Sequence, residues 1–177
     1  MKNILAGFVL ALMLGSVAAG SVHAEYVLPY PGYMPGNKLY TISRLIDRVK
    51  EPLYFGNISS YKYHLGLADK YIVEAKILFE YKQYLLATDA LKRSNNEFAR
   101  VPVYLILAKA EGKDVSKFTF GLSEAASLHK QLITRFMEIV PQTFTWTPEK
   151  SGAIDLPLYS LFRESVMVRE NAVISIQ

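Results

Sequence analysis

From residue 38 onward, apolar and polar positions alternate with the period of a helix. Leu39, Ile42, Leu45, Ile46 and Val49 recur three or four residues apart after Asn37, a residue that caps helix starts, and Pro52 follows. The pattern predicts a short helix over residues 38–50. Tyr61, Leu65, Ala68, Ile72, Ala75 and Phe79 form a stripe that predicts a second helix over about residues 59–80, with Lys62, Asp69, Lys76 and Glu80 on its other side. A third begins near Lys82 and carries Tyr84, Ala87, Leu91, Phe98 and Leu105, ending at Gly112. Pro102 is expected to kink or split it, and Ser94, Asn95, Asn96 and Glu97 have the spacing of a capping box at which it could instead divide. The clearest stripe lies over residues 116–139: Leu122, Ala125, Ala126, His129, Leu132, Ile133, Phe136 and Ile139, closed by Pro141. Residues 142–155, with the single tryptophan Trp146, read as a loop with faint strand-like alternation at 142–147. Asp155 is then expected to cap a last helix to about residue 170 on Leu158, Leu161, Phe162 and Val168.

Helices with one apolar stripe bury it against one another. The expectation is an all-α fold, an antiparallel bundle of four to five helices over residues 38–172. Residues 25–37 precede it with three prolines and two glycines, which forbid regular helix and favour an extended arm rich in proline and tyrosine.

The start of the chain changes the picture of where such a bundle works. Residues 1–24 have a positive start at Lys2, an apolar run over 4–14, and small residues at Val22 and Ala24 flanking His23. This is the layout of an export signal, with cleavage expected between Ala24 and Glu25. The alternative, an uncleaved membrane anchor, is disfavoured because the run is short for a span of about 20 residues and is broken by Gly15, Ser16 and Gly20. No later segment is apolar enough to span a bilayer, so the working form is expected in the periplasm or outside the cell.

Composition narrows the chemistry. The 177 residues suffice for one domain, and 51% are apolar. The chain has no cysteine, which excludes disulfides, thiolate nucleophiles, cysteine-held metals and a lipidated amino-terminal cysteine, and which fits a bacterial exported protein. The formal charge of +4 is spread along the chain rather than gathered on one face, so nucleic acid is not expected as a partner.

With His23 removed, His64 and His129 are the only imidazoles, and neither has the spacing of a metal motif. Each is expected to be a hydrogen-bonded core histidine. A metal site would require both to meet a carboxylate such as Glu74. Asp69, Glu74 and Glu80 are expected to be solvated partners of nearby lysines. No Gly-x-Ser-x-Gly, no phosphate loop and no obvious carboxylate pair occurs, so neither catalytic nor metal-binding residues nor a cofactor are assigned. Asn57-Ile58-Ser59 matches a glycosylation triplet but reads as a turn and helix cap.

What stands out is tyrosine. Tyr26, Tyr30, Tyr33, Tyr40, Tyr54, Tyr61 and Tyr63 crowd the first part of the mature chain. On an exposed proline-bearing arm, Tyr26, Tyr30 and Tyr33 would form a partner surface for a protein or an envelope polymer. Alternatively the arm folds back and seals the bundle.

The stretch Pro35-Gly36-Asn37-Lys38-Leu39-Tyr40-Thr41-Ile42-Ser43-Arg44-Leu45 resembles the opening of an exported helical family of unknown function. Ala68-Asp69-Lys70-Tyr71-Ile72-Val73-Glu74-Ala75 resembles that family's next helix, with Tyr71 where the family tends to carry arginine. The likeness covers about residues 28–140. It implies an extracytoplasmic helical domain and brings no activity, cofactor or site residue. The function expected is a non-catalytic interaction or structural module. The rivals are a metal- or stress-responsive periplasmic protein and an envelope hydrolase with an unfamiliar site.

Overall fold

A computed structural model describes residues 26–150 and 152–177. The expected export signal and its cleavage point at Ala24 and Glu25 lie outside these residues. Among these residues the fold is all-α, with five helices: α1 (Lys38–Lys50), α2 (Asn57–Glu80), α3 (Tyr84–Ala110), α4 (Ser116–Ile139) and α5 (Leu158–Ile174). One turn of 3-10 helix, Glu51–Leu53, follows α1.

Helices α2 to α5 form the bundle. Packing joins α2 to α3, α3 to α5, α5 to α4, and α4 back to α2. Consecutive helices α3 and α4 therefore sit diagonally. The tight α2–α3 turn needs a left-handed residue, supplied by Lys82 at φ 58°. At the end of α3, Gly112 takes φ 77°, and the Gly112 and Lys113 amides bond back to the carbonyls of Lys109 and Ala108.

Four expectations about element ends need correction. Helix α3 runs through Pro102 and past Ser94 without dividing, because the turns on both sides are anchored in the core by Leu91, Phe98, Val101 and Leu105. The segment after α4 is not all loop: Phe144–Trp146 (β1) pairs antiparallel with Ile154–Leu156 (β2). Asp155 does not cap α5, since its carboxylate accepts from the Thr145 hydroxyl across that hairpin at 2.6 Å and Pro157 stands at the cap. At α2 the cap is Gly56, and Asn57 is already helical, donating to Glu111 at 2.6 Å.

The interior has two apolar compartments stacked along the bundle. One holds Ile72, Phe79, Leu91, Ile133, Phe136 and Phe162, and the other Leu65, Ala68, Phe98, Leu105, Leu122 and Ala172. Between them each of the four helices places polar side chains at one level: Asp69 from α2, Ser94 and Asn95 from α3, His129 from α4, Ser165 and Arg169 from α5, all buried. Among the described residues no helix is long and apolar enough to cross a membrane.

Helix α1 departs from the expected burial. Its polar side faces the bundle: Tyr40 is buried, and Ser43 and Asp47 receive the Lys70 ammonium at 3.2 and 2.5 Å. The Tyr63 hydroxyl donates to the Asp47 carbonyl at 2.7 Å. The stripe of Leu39, Ile42, Leu45, Ile46 and Val49 is turned outward and exposed. Periodicity located the helix correctly but could not say which side its neighbours would offer polar partners to.

Candidate functional site: the tyrosine arm and the polar layer beneath it

The arm is fixed at several points. The Tyr26 hydroxyl donates to Asp69 Oδ2 at 2.5 Å, Tyr26 packs against one apolar compartment, and Leu28 and Met34 pack against the other. The Asn37 amide bonds the Met34 carbonyl at 3.2 Å, and the Asn37 side chain accepts from the Leu39 amide at 2.9 Å, capping α1. Pro29 and Pro31 restrict the backbone in between. Between these anchors Tyr30 is 95% exposed and Tyr33 is half exposed. The three arm tyrosines therefore divide: Tyr26 seals the bundle, while Tyr30 and Tyr33 are presented to solvent.

Under Tyr26 lies the polar layer. Arg169 Nε–H donates to His129 Nδ1 at 3.4 Å, and a guanidinium has no acceptor, so Nδ1 carries no proton. His129 Nε2–H then donates to Asp69 Oδ1 at 2.9 Å. Burial holds the imidazole below its ordinary range, opposed by the Asp69 hydrogen bond, which keeps it neutral. The guanidinium also donates to Asn95 Oδ1, to the Ser165 carbonyl at 3.1 Å and to Ser94 Oγ at 2.7 Å. Ser94 in turn donates to the Ala68 carbonyl at 2.8 Å, and Asn95 to Ser165 Oγ at 2.9 Å. Burial pushes Arg169 down, with Asp69 opposing, to about 9, so it stays charged at neutral pH and balances the Asp69 carboxylate. Both imidazole nitrogens are occupied and His129 has no exposed surface, while Asp69 keeps only a small exposed fraction and the buried Arg169 is among the residues lining the groove between α4 and α5. What the arrangement does is fix the register of four helices against one another.

Asp69 and Glu74 are thus not solvated partners of lysines. Both are buried, and of the three expected surface carboxylates only Glu80 pairs with a lysine, Lys76 at 3.0 Å. Asp69 is drawn inward by partners on α4 and on the arm. Glu74 Oε2 accepts from the Tyr40 hydroxyl at 3.0 Å, and that hydroxyl accepts from Arg93 at 2.6 Å. Glu74 Oε1 has no hydrogen-bond partner.

Burial pushes the Glu74 carboxyl above the ordinary carboxylate range, opposed by the Tyr40 bond and by Lys70 and Arg93. With the folded value above the unfolded one, the folded chain holds the extra proton. Stability from this group is greatest in acid and declines as pH rises through the folded value. Glu74→Gln is expected to flatten that decline, so the melting temperature of the variant rises relative to the unaltered protein from about pH 4 to pH 8. Parallel thermal melts across that range check it, and identical pH profiles would refute it.

His64 and His129 belong to separate networks. His64 Nδ1 donates to Glu97 at 2.7 Å and Nε2 accepts from Tyr104 at 3.0 Å. The two imidazoles share no carboxylate, and Glu74 bonds neither. Among the described residues no group of three or more histidines and carboxylates is placed to hold a metal.

An open groove of about 810 Å³ runs between α4 and α5, bridged by Lys130 and Glu170 at 2.6 Å. A polar cleft of about 340 Å³ lies between α1 and the bundle, lined by Arg44, Arg48, Arg93 and Arg100 together with Asp47, Glu51 and Glu97. Sequence reasoning missed Arg169, Ser94, Asn95 and Ser165. Their signal was available: Arg169 stands four residues after Ser165 and seven after Phe162, a core position of α5.

Comparison with protein-family models, with curated proteins and with solved structures finds no match to this chain.

Proposed function

We propose that the chain is an exported, non-catalytic binding module, working in the periplasm or outside the cell, that presents Tyr30 and Tyr33 on a pinned arm to a protein or an envelope polymer. The observation that carries this is the contrast along the arm. Tyr26, Leu28 and Met34 are tied to the bundle, yet the ring between them, Tyr30, is 95% exposed. An exposed aromatic ring on a backbone already ordered by proline and by flanking anchors loses little freedom on binding. Flat aromatic faces of this kind suit the apolar face of a sugar ring or a shallow groove on another protein. The export-signal layout of residues 1–24 supports the location. The full burial of His129, with both ring nitrogens bonded within the protein, supports binding over catalysis.

The test is capture of partners from the native envelope by the unaltered protein and by a Tyr30→Ala, Tyr33→Ala variant. A central aromatic contact is typically worth about 2 kcal/mol or more, so affinity is expected to fall roughly thirty-fold or further. Undiminished capture by a variant with an unchanged melting temperature would remove the arm from the binding surface.

A further inference from the structure

Helix α1 is mounted with its polar side in and its apolar side out. Inward, Tyr40 bonds Glu74, and Ser43 and Asp47 bond Lys70. Outward, Leu39, Ile42, Leu45, Ile46 and Val49 are all exposed, and the exposed apolar surface continues along the chain in Leu53 and Phe55. Leu39, Ile42, Ile46 and Val49 are spaced by three, four and three residues and form one line along the helix.

The charges on α1 are sorted in part the same way, with half-buried Arg44 turned into the polar cleft beside the bundle. Its only carboxylate, Asp47, is turned inward and held by Lys70. Lys38, Arg48 and Lys50 are exposed, Arg48 at the boundary where it also borders the polar cleft. Lys38 stands at the start of the stripe. Arg48, three residues after Leu45, and Lys50, four after Ile46, flank it on either side near its end. An apolar line bordered by long cationic side chains, on a helix that is otherwise polar, matches a helix lying in the plane of a bilayer interface. A second copy of the chain fits poorly. Antiparallel pairing of two α1 helices would set Lys38 of one against Arg48 and Lys50 of the other, and parallel pairing would set each cation against itself.

We propose that the outward face of α1 docks on an anionic phospholipid surface, with Leu39, Ile42, Ile46 and Val49 toward the acyl chains and Lys38, Arg48 and Lys50 among the headgroups. This surface is separate from the tyrosine arm and does not depend on it. The polar mounting holds the helix preformed, so no folding is required at the membrane.

The full chain carrying Trp146→Phe and Ile46→Trp has one fluorescent reporter, on the face in question. A second reporter, Ile42→Trp with Trp146→Phe, checks the same face one turn away, and circular dichroism verifies that each variant is folded. The expected result is a blue shift, with quenching by a lipid-borne quencher, on vesicles of phosphatidylglycerol and phosphatidylcholine but not on phosphatidylcholine alone. Each cation near such a surface contributes roughly five-fold in affinity. Lys38→Gln, Arg48→Gln and Lys50→Gln together should therefore cost about a hundred-fold, and added salt should weaken binding.

Emission from both reporters that stays unchanged on anionic vesicles overturns the proposal, even if the leader tethers the chain to them. Equal binding to uncharged vesicles overturns it as well. So does a blue shift that grows with protein concentration in the absence of lipid, which would assign the face to a second copy.

Discussion

Replacing Arg169 with methionine is expected to remove about 3–5 kcal/mol of folding stability, a large part of the total for a domain of this size. The substitution keeps the stem and deletes the guanidinium. Ser94, Asn95, the Ser165 carbonyl and His129 Nδ1 then each lose a buried donor, and the Asp69 carboxylate loses the positive charge that balances it. Lysine at this position does not restore the layer, because three donors on one atom cannot reproduce a planar fork reaching four acceptors. The companion change Asp69→Asn is expected to return part of the loss in the double variant, since it removes the stranded charge. Urea unfolding of the two single variants and the double variant measures the coupling. A loss below about 1 kcal/mol for Arg169→Met would mean that the layer adds nothing beyond filling space.

Phe79→Ala is expected to cost a similar amount, about 3–5 kcal/mol, for a different reason. Its ring lies 5.0 Å from that of Phe136 and 5.2 Å from that of Phe162, so one side chain of α2 ties α4 and α5 together in one apolar compartment. Truncation leaves a void that two rings on separate helices cannot close. On the outward stripe of α1, Ile42→Ala in the protein without lipid should change stability by no more than about 0.5 kcal/mol. Thermal or denaturant melts compare the two positions directly. Both residues read as buried from their spacing alone, and the measured difference separates a stripe that is packed from one that is not.

That contrast marks what spacing conveys. Leu122, Ala125, Leu132, Ile133 and Phe136 were legible as core because α4 has bundle helices on its apolar side. Leu39 and Ile42 gave the same signal on α1, where the neighbours offer Lys70 and Glu74 instead of an apolar surface. Asp69 and Glu74 were misread because their partners lie far along the chain. His129 and Tyr40 are 60 and 34 positions away from them respectively, and local spacing pairs a carboxylate only with lysines one turn off. Arg169 was overlooked and Ser94 and Asn95 were read as part of a capping box, although polar residues at core positions of two helices, with His129 on a third, hint at a shared layer. The β1–β2 hairpin left only a short alternation, because strands of three residues hold too few positions to establish a period. Of the arm, sequence left an exposed surface and a folded-back seal both open, and the structure divides the tyrosines between them, Tyr30 and Tyr33 toward solvent and Tyr26 onto the bundle.

The hydrogen bonds from Arg169 to Asn95 and Ser94 join positions 74 and 75 apart. Among the described helices α5 comes after the other three of the bundle in the chain, so α2, α3 and α4 can pair their apolar sides beforehand while the centre of the assembly still lacks its cation. Asp69, Asn95 and Ser94 stay wet until the tail of the chain arrives, and water must leave that level in the closing step. The bundle is therefore locked by α5. Under the export proposed above, a chain threaded through a membrane amino end first would remain loose and pliable until α5 had followed the other helices across.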